Sequence, residues 1–240
     1  MKRRKFITGL ATGVAVGVAG CTGLLDEEID ITAEPAEIAE SAANERGYEH
    51  EETDSIIIEE QFEVFGEERH LTATTWIASY AKEVDGHPKH DMESMFDMEF
   101  AGATVISTPN ETVVGQELNP IDLMDTDEMI ERFAEEFTDE GLEDITHVDE
   151  TSVSIFGEET TVDVFEAVIN VNGHEEDVNL YVATEPNEDD LVIPIGYHLD
   201  SVDEEETIYE LMEEIQHPVE PPESENESTG SNENDTEGGY

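Results

Sequence analysis

The chain is short of cations. Nine lysines and arginines stand against 64 aspartates and glutamates in 240 residues, a formal net charge of −55. Affinity for nucleic acid comes largely from Lys and Arg neutralising phosphates, and Arg46, Arg69, Lys82, Lys89 and Arg132 form no cluster in the sequence. A nucleic-acid partner is therefore not expected. Cysteine is scarcer still: Cys21 is the only one, so no disulfide can form within the chain. Nor is there an apolar run of the ~20 residues that a spanning helix needs. The best stretch, Phe6 to Gly20, is shorter and is diluted by Thr8, Gly9, Thr12, Gly13 and Gly17. The sequence also lacks a Gly-x-Ser-x-Gly elbow, a His-Glu-x-x-His pair, a phosphate-binding glycine loop and a dinucleotide fingerprint. Paired acids carry no information where acids are this common, so the expectation is a non-enzymatic protein without a cofactor.

What is present begins with "MKRRKFITGLATGVAVGVAGCTG". Lys2, Arg3, Arg4 and Lys5 make a positive n-region, a short apolar stretch follows, and small residues precede Cys21, which is the anatomy of an export signal. Arg3-Arg4 followed by Lys5-Phe6-Ile7 resembles a twin-arginine signal. Val18-Ala19-Gly20-Cys21 resembles a lipobox, after which the new N-terminal cysteine is lipidated. A thioether to lipid also accounts for a solitary cysteine on an exported chain, where a free thiol would be reactive. The expected location is the outer face of the cytoplasmic membrane, with membrane lipid as the partner of Cys21.

The signal holds four of the nine basic residues, leaving five against 64 acids. Such self-repulsion opposes a compact state at ordinary ionic strength, yet the apolar residues recur with helix and strand periods. At ~1 M salt the Debye length falls to ~3 Å, which screens the repulsion. The composition thus points to a folded protein of an extreme halophile.

Four segments are expected: the signal at 1–20, a lipidated acidic spacer at 21–30, a single domain at 31–217 and a disordered acidic tail at 218–240. The tail "PVEPPESENESTGSNENDTEGGY" has no periodic apolar residue. Within the domain, Ala36 to Arg46 reads as a helix stopped by Gly47. "SIIIEEQFEVF" and "RHLTATTWIASYAKEV" read as a long hairpin, and "GATVISTP" as a third strand. "DTDEMIERFAEEF" places Met129, Ile130, Phe133 and Phe137 on one helical face. From Thr151 to Leu199 the sequence reads as a four-stranded antiparallel meander with turns at Gly157, Asn172-Gly173 and Asn187 to Asp190; Pro194 suggests an edge or a bulge. A last helix carries Ile208, Leu211, Met212 and Ile215, with Ser201 and Glu204 spaced as a capping box. The predicted class is α+β: a mainly antiparallel sheet, built from the long hairpin and the meander, with about three packing helices. Phe-Gly-Glu-Glu occurs at Phe65 and again at Phe156, which fits either a duplicated helix-hairpin unit or a cheap turn recurring in an acidic chain.

Several stretches together resemble a family of haloarchaeal twin-arginine-exported lipoproteins of unknown function. They are the lipobox with Thr22-Gly23, "ITAEPAEI" with Gly47-Tyr48, the hairpin with Trp76 and Tyr80, and "STPNETVVGQELNPI". The resemblance covers most of the core and implies no catalytic residue.

Two local patterns suggest ligand chemistry. In "HPKHDMESMFDMEF", His87 and His90 precede Met92, Met95 and Met98; thioethers with nearby imidazoles suit Cu(I), and the same methionines also read as plugs at the edge of the core. Asp122, Asp125, Asp127 and Glu128 offer oxygen ligands, but they lack the spacing of a calcium hand and read as helix N-terminal acids. Asn110, Asn226 and Asn234 are glycosylation acceptors by sequence. His147, His174 and His198 read as surface or packing residues rather than bases. The leading expectation is a binding or accessory domain with a membrane-associated protein partner; exposure of Trp76 and Tyr80 would support it. The alternative is a copper-handling lipoprotein that uses residues 87–98.

Overall fold

The structure is a computed structural model that describes residues 28–64, 67–82, 101–113, 116–118, 142–171 and 174–222. Its elements are β1 (Glu28–Thr32), β2 (Glu37–Ile38), α1 (Glu40–Arg46), β3 (Glu49–Val64), β4 (Glu67–Lys82), β5 (Ala101–Pro109), β6 (Glu111–Val113) and β7 (Gln116–Leu118). They continue with β8 (Leu142–Ile155), β9 (Glu158–Val171), β10 (His174–Ala183), β11 (Glu185–Asn187), β12 (Asp190–Leu199), α2 (Glu205–Glu213) and β13 (Ile215–Gln216).

Nine of these strands form one mixed sheet along the path β1-β4-β5-β12-β10-β9-β8, with β3 paired to β4 and β11 to β12. β3 pairs antiparallel along the whole of β4. β5 takes the other side of β4 from Trp76 to Lys82, and β1 runs parallel to β4 from His70 to Thr74. From β8 through β9 and β10 to β12 the chain is an antiparallel meander. Its first turn has Phe156 and Gly157 at φ 51° and 85°, the left-handed pair that a two-residue hairpin matching the strand twist requires.

The expected α+β class with about three packing helices is overturned. Among the described residues the chain is mostly strand, with only two helices of seven and nine residues. The first helix starts at Glu40 rather than Ala36. Glu37 and Ile38 are drawn into a ribbon with Gln216 and Ile215, and the Ile38 N–H donates to the Tyr80 hydroxyl at 2.9 Å. The helix expected at 125–137 lies outside the described residues, as does the Asn172-Gly173 turn. α2 begins after Glu204, which takes the N-cap position expected for Ser201 and makes no side-chain cap hydrogen bond; the Glu204 carboxylate is held by Lys82. Pro194 is not on an edge, because β12 lies between β5 and β10. It sits where the neighbour of β12 changes from β10, paired up to Ile195, to β11, paired from Val192. A missing backbone donor is tolerated at such a break.

Both faces of the central strands are apolar, as in sheets covered on two sides; every residue of β5 is buried. On one face Tyr48, Tyr80, Val105, Val153, Ile155 and Val162 pack with Ala42 and Ala43 of α1 and Ile208, Leu211 and Met212 of α2. Fully burying a side chain of this size contributes about 1.5–3 kcal/mol. The close seat of α2 depends on Gly196: a Cβ there would lie 2.3 Å from Ile208 Cγ2. The opposite face buries Ile106, Phe165, Ile169, Leu180, Ile193 and Ile195. Asp190 ties the two ends of the domain together, since its carboxylate accepts from Glu34 N–H at 2.8 Å and from His217 Nε2 at 3.0 Å.

Candidate functional site

A groove of about 500 Å³ opens on the helix-bearing face of the sheet, beside the start of α2. Its floor comes from alternate residues of neighbouring strands: Val164 and Glu166 of β9, Asn179 and Tyr181 of β10, and His198 of β12. One wall is the Asp200–Asp203 segment with Glu205, and the other is Val148 and Asp149 of β8. That second wall exists because β8 slips register against β9 between His147 and Asp149. A bulge of this kind re-aims the side chains around it.

The floor is polar and internally hydrogen-bonded. His198 Nδ1 lies 2.8 Å from the Leu199 carbonyl, which makes it the protonated nitrogen. Nε2 is then the acceptor, and the buried Tyr181 hydroxyl donates to it at 2.9 Å. The two rings stack with centroids 5.5 Å apart, and Tyr209 meets Tyr181 edge-on at 5.3 Å. The Tyr209 hydroxyl donates to Glu205 Oε1 at 3.0 Å.

The electrostatics are one-sided. Asp149, Glu166, Asp200, Asp203 and Glu205 all line the groove. Burial pushes the Tyr181 hydroxyl far above its ordinary pKa, and the charges of Glu205, Asp203 and Asp200 push it further. Tyr209 is raised by burial and then by Glu205. Arg46 and Lys82 are engaged elsewhere: Arg46 with Glu210 at 2.8 Å, and Lys82 with both oxygens of Glu204 at 2.7 and 2.8 Å. The second pair matters to the groove, because Glu204 lies between the wall segment and α2. Lys82 Nζ also stands 5.2 Å from the centroid of the buried Tyr48 ring. The Tyr48 hydroxyl lies 3.4 Å from Glu204 and is raised by burial first and by that carboxylate next.

Most of the residues singled out in the sequence fall outside the described ones. Arg3, Arg4, Cys21, His87, His90, Met92, Met95, Met98, Asp122, Asp125, Asp127, Glu128, Asn226 and Asn234 are outside the described residues. Asn110 is half-buried just after β5, and its N–H donates to the Asp189 carbonyl at 2.9 Å. The aromatic patch is not there: Tyr80 is 3% exposed and bonded to Ile38, and the half-buried Trp76 donates through Nε1 to the Ala33 carbonyl at 3.0 Å. His198 is a packing histidine, as expected, but its role in the groove floor was not foreseen. The available signals were the Asn179/Tyr181 alternation and the acidic run from Asp200 to Glu206.

The family model described as Domain of unknown function (DUF6517) matches residues 35–216, and the chain belongs to that family. A search of curated proteins finds no match. Among the described residues no helix is long and apolar enough to cross a membrane.

Proposed function

We propose that this member of the DUF6517 family is an exported, lipid-anchored, non-enzymatic binding domain that seats basic side chains of a partner protein in the acidic groove. The observation that carries the reading is the groove: five carboxylates converge over a fixed Tyr181–His198 floor while Arg46 and Lys82 are held by other acids. Carboxylates so placed suit guanidinium and ammonium groups, whose charge-assisted hydrogen bonds are the stronger kind. In the concentrated salt that the composition calls for, long-range steering is screened within a few ångströms. Contact pairs inside a groove retain their hydrogen bonds, so recognition there is short-ranged and selective.

Export and anchoring rest on Arg3-Arg4 and the lipobox ending at Cys21. Lipidation adds ~0.8 kcal/mol per buried CH₂, and two chains hold where one exchanges. Cys21→Ser is expected to release the protein from membranes, and retention of the variant through a high-salt wash would refute the anchor. For the groove, the full-length protein is crosslinked on its own membranes in multimolar salt. The triple variant Asp200→Asn, Asp203→Asn, Glu205→Gln is expected to lose the captured partner, while Glu175→Gln with Glu176→Gln keeps it. Equal capture by both variants would refute the groove. The copper reading of His87 to Met98 is a separate proposal. Equal cuprous binding by the native chain and a Met92, Met95, Met98 triple Leu variant would end it.

A further inference from the structure

We propose that His147, Glu150 and Asp163 form a surface site for a divalent first-row cation, with Zn²⁺ the best chemical match. The site lies on the β8–β9 hairpin, on the face of the sheet opposite the groove.

In a regular strand, residues three apart point to opposite faces. His147 and Glu150 point the same way because the register of β8 slips between His147 and Asp149, where one extra residue is taken up. Asp163 stands directly across from Glu150 in the register. Two carboxylates facing each other across an antiparallel pair repel, and in a chain this acidic such a pair calls for a cation between them. The His147 imidazole turns toward both: Nε2 lies 3.0 Å from Asp163 Oδ1 and 3.9 Å from Glu150 Oε1. Its ring stands edge-on to Phe165, with centroids 5.2 Å apart; Phe165 is buried, so it fixes the plane in which the ring nitrogen is presented.

Three properties favour a metal over an unoccupied cluster of charges. The donor atoms all lie within 4.8 Å of one another. Around a tetrahedral ion with bonds of about 2.1 Å the donors sit about 3.4 Å apart, a contraction that side-chain rotation alone supplies. The donor set mixes one nitrogen with two carboxylates, which suits a borderline ion such as Zn²⁺ better than Mg²⁺ or Ca²⁺, which take oxygen sets. Despite the abundance of acids, this is the one group of three or more such side chains among the described residues whose donor atoms converge. The site is open to solvent, which leaves room for water to complete the coordination.

The full-length protein is titrated with Zn²⁺ by calorimetry, and with Co²⁺ by visible absorption, in molar sodium chloride of the same concentration in cell and titrant, so that anion binding to the metal is common to every variant compared. The native chain is expected to show a Zn²⁺ site that His147→Ala and Asp163→Asn each weaken at least tenfold, and a Co²⁺ spectrum that loses its nitrogen-ligated features in His147→Ala. Excess Mg²⁺ should not displace the Zn²⁺. Circular dichroism checks that the surface variants fold, and Glu150→Gln serves as the second variant if one does not. Binding that is unchanged in His147→Ala, or no binding by the native chain, would overturn the proposal.

Discussion

Lys82→Met is the sharpest perturbation of the groove's support. It removes the cation from Glu204, whose side chain is only 10% exposed, while keeping most of the apolar stem of a lysine that is itself 20% exposed. Breaking a buried pair from one side costs about 3–5 kcal/mol, because the remaining charge stays buried and uncompensated. The partial exposure of Lys82 places this case at the lower end, about 3 kcal/mol. For a domain of this size each kcal/mol lowers Tm by about 2–4 °C, so a fall of roughly 6–12 °C is expected. Urea unfolding in multimolar salt, followed by Trp76 fluorescence, measures the loss directly. Two comparisons isolate the cause. Arg46→Ala breaks a pair whose carboxylate is 53% exposed, and should cost no more than about 1 kcal/mol. Adding Glu204→Leu to Lys82→Met should recover part of the loss, because no buried charge then remains. A Lys82→Met cost equal to that of Arg46→Ala, or no recovery in the double variant, would refute the reasoning.

Three further outcomes follow from the same structure. Dialysis into dilute buffer should abolish cooperative unfolding, because nine basic residues cannot offset 64 acids without screening; an unchanged circular dichroism spectrum would contradict this. Gly196→Ala should destabilise by about 1–3 kcal/mol, the usual cost of overpacking, because the new Cβ meets Ile208 Cγ2 at 2.3 Å; a melting curve identical to the native one would show that α2 can shift. Stability should fall in alkali. Burial raises the Tyr48 and Tyr80 hydroxyls above their unfolded value of 10.0, so the folded state holds protons that the unfolded state releases. Their contribution is complete below that value and is lost above it at about 1.4 kcal/mol per pH unit for each tyrosine. Urea midpoints that stay level well above pH 10 would contradict it.

The long hairpin and the meander were legible because their signals are local: Phe156-Gly157 at a two-residue turn, and alternation along "TVDVFEAVINV". The features that escaped are set by partners distant in sequence. β1 looks like acidic spacer, and becomes a strand because Ile29 and Ile31 pack with Leu71 and Ala73 of β4. Glu204 has the spacing of a helix cap, but Lys82, 122 residues away, claims it. The Glu37–Ile38 segment reads as helix until Ile215 and Gln216 pair with it. The groove was hidden for the same reason. Its residues come from β8, β9, β10, β12 and the segment before α2, and one wall depends on a register slip at Val148 that alternation does not announce.

The most direct test of the groove as a binding surface is a photo-crosslinking residue placed at Val148, which is 45% exposed on its wall, compared with the same residue at Ile57, 48% exposed on β3. Irradiation of the full-length protein in intact cells in multimolar salt is predicted to give one stoichiometric adduct from position 148, rich in Lys or Arg at the attachment site, and none from position 57. The 148 adduct should disappear when Asp200, Asp203 and Glu205 are neutralised. Adducts of equal yield from both positions, or a 148 adduct indifferent to the three carboxylates, would contradict the account.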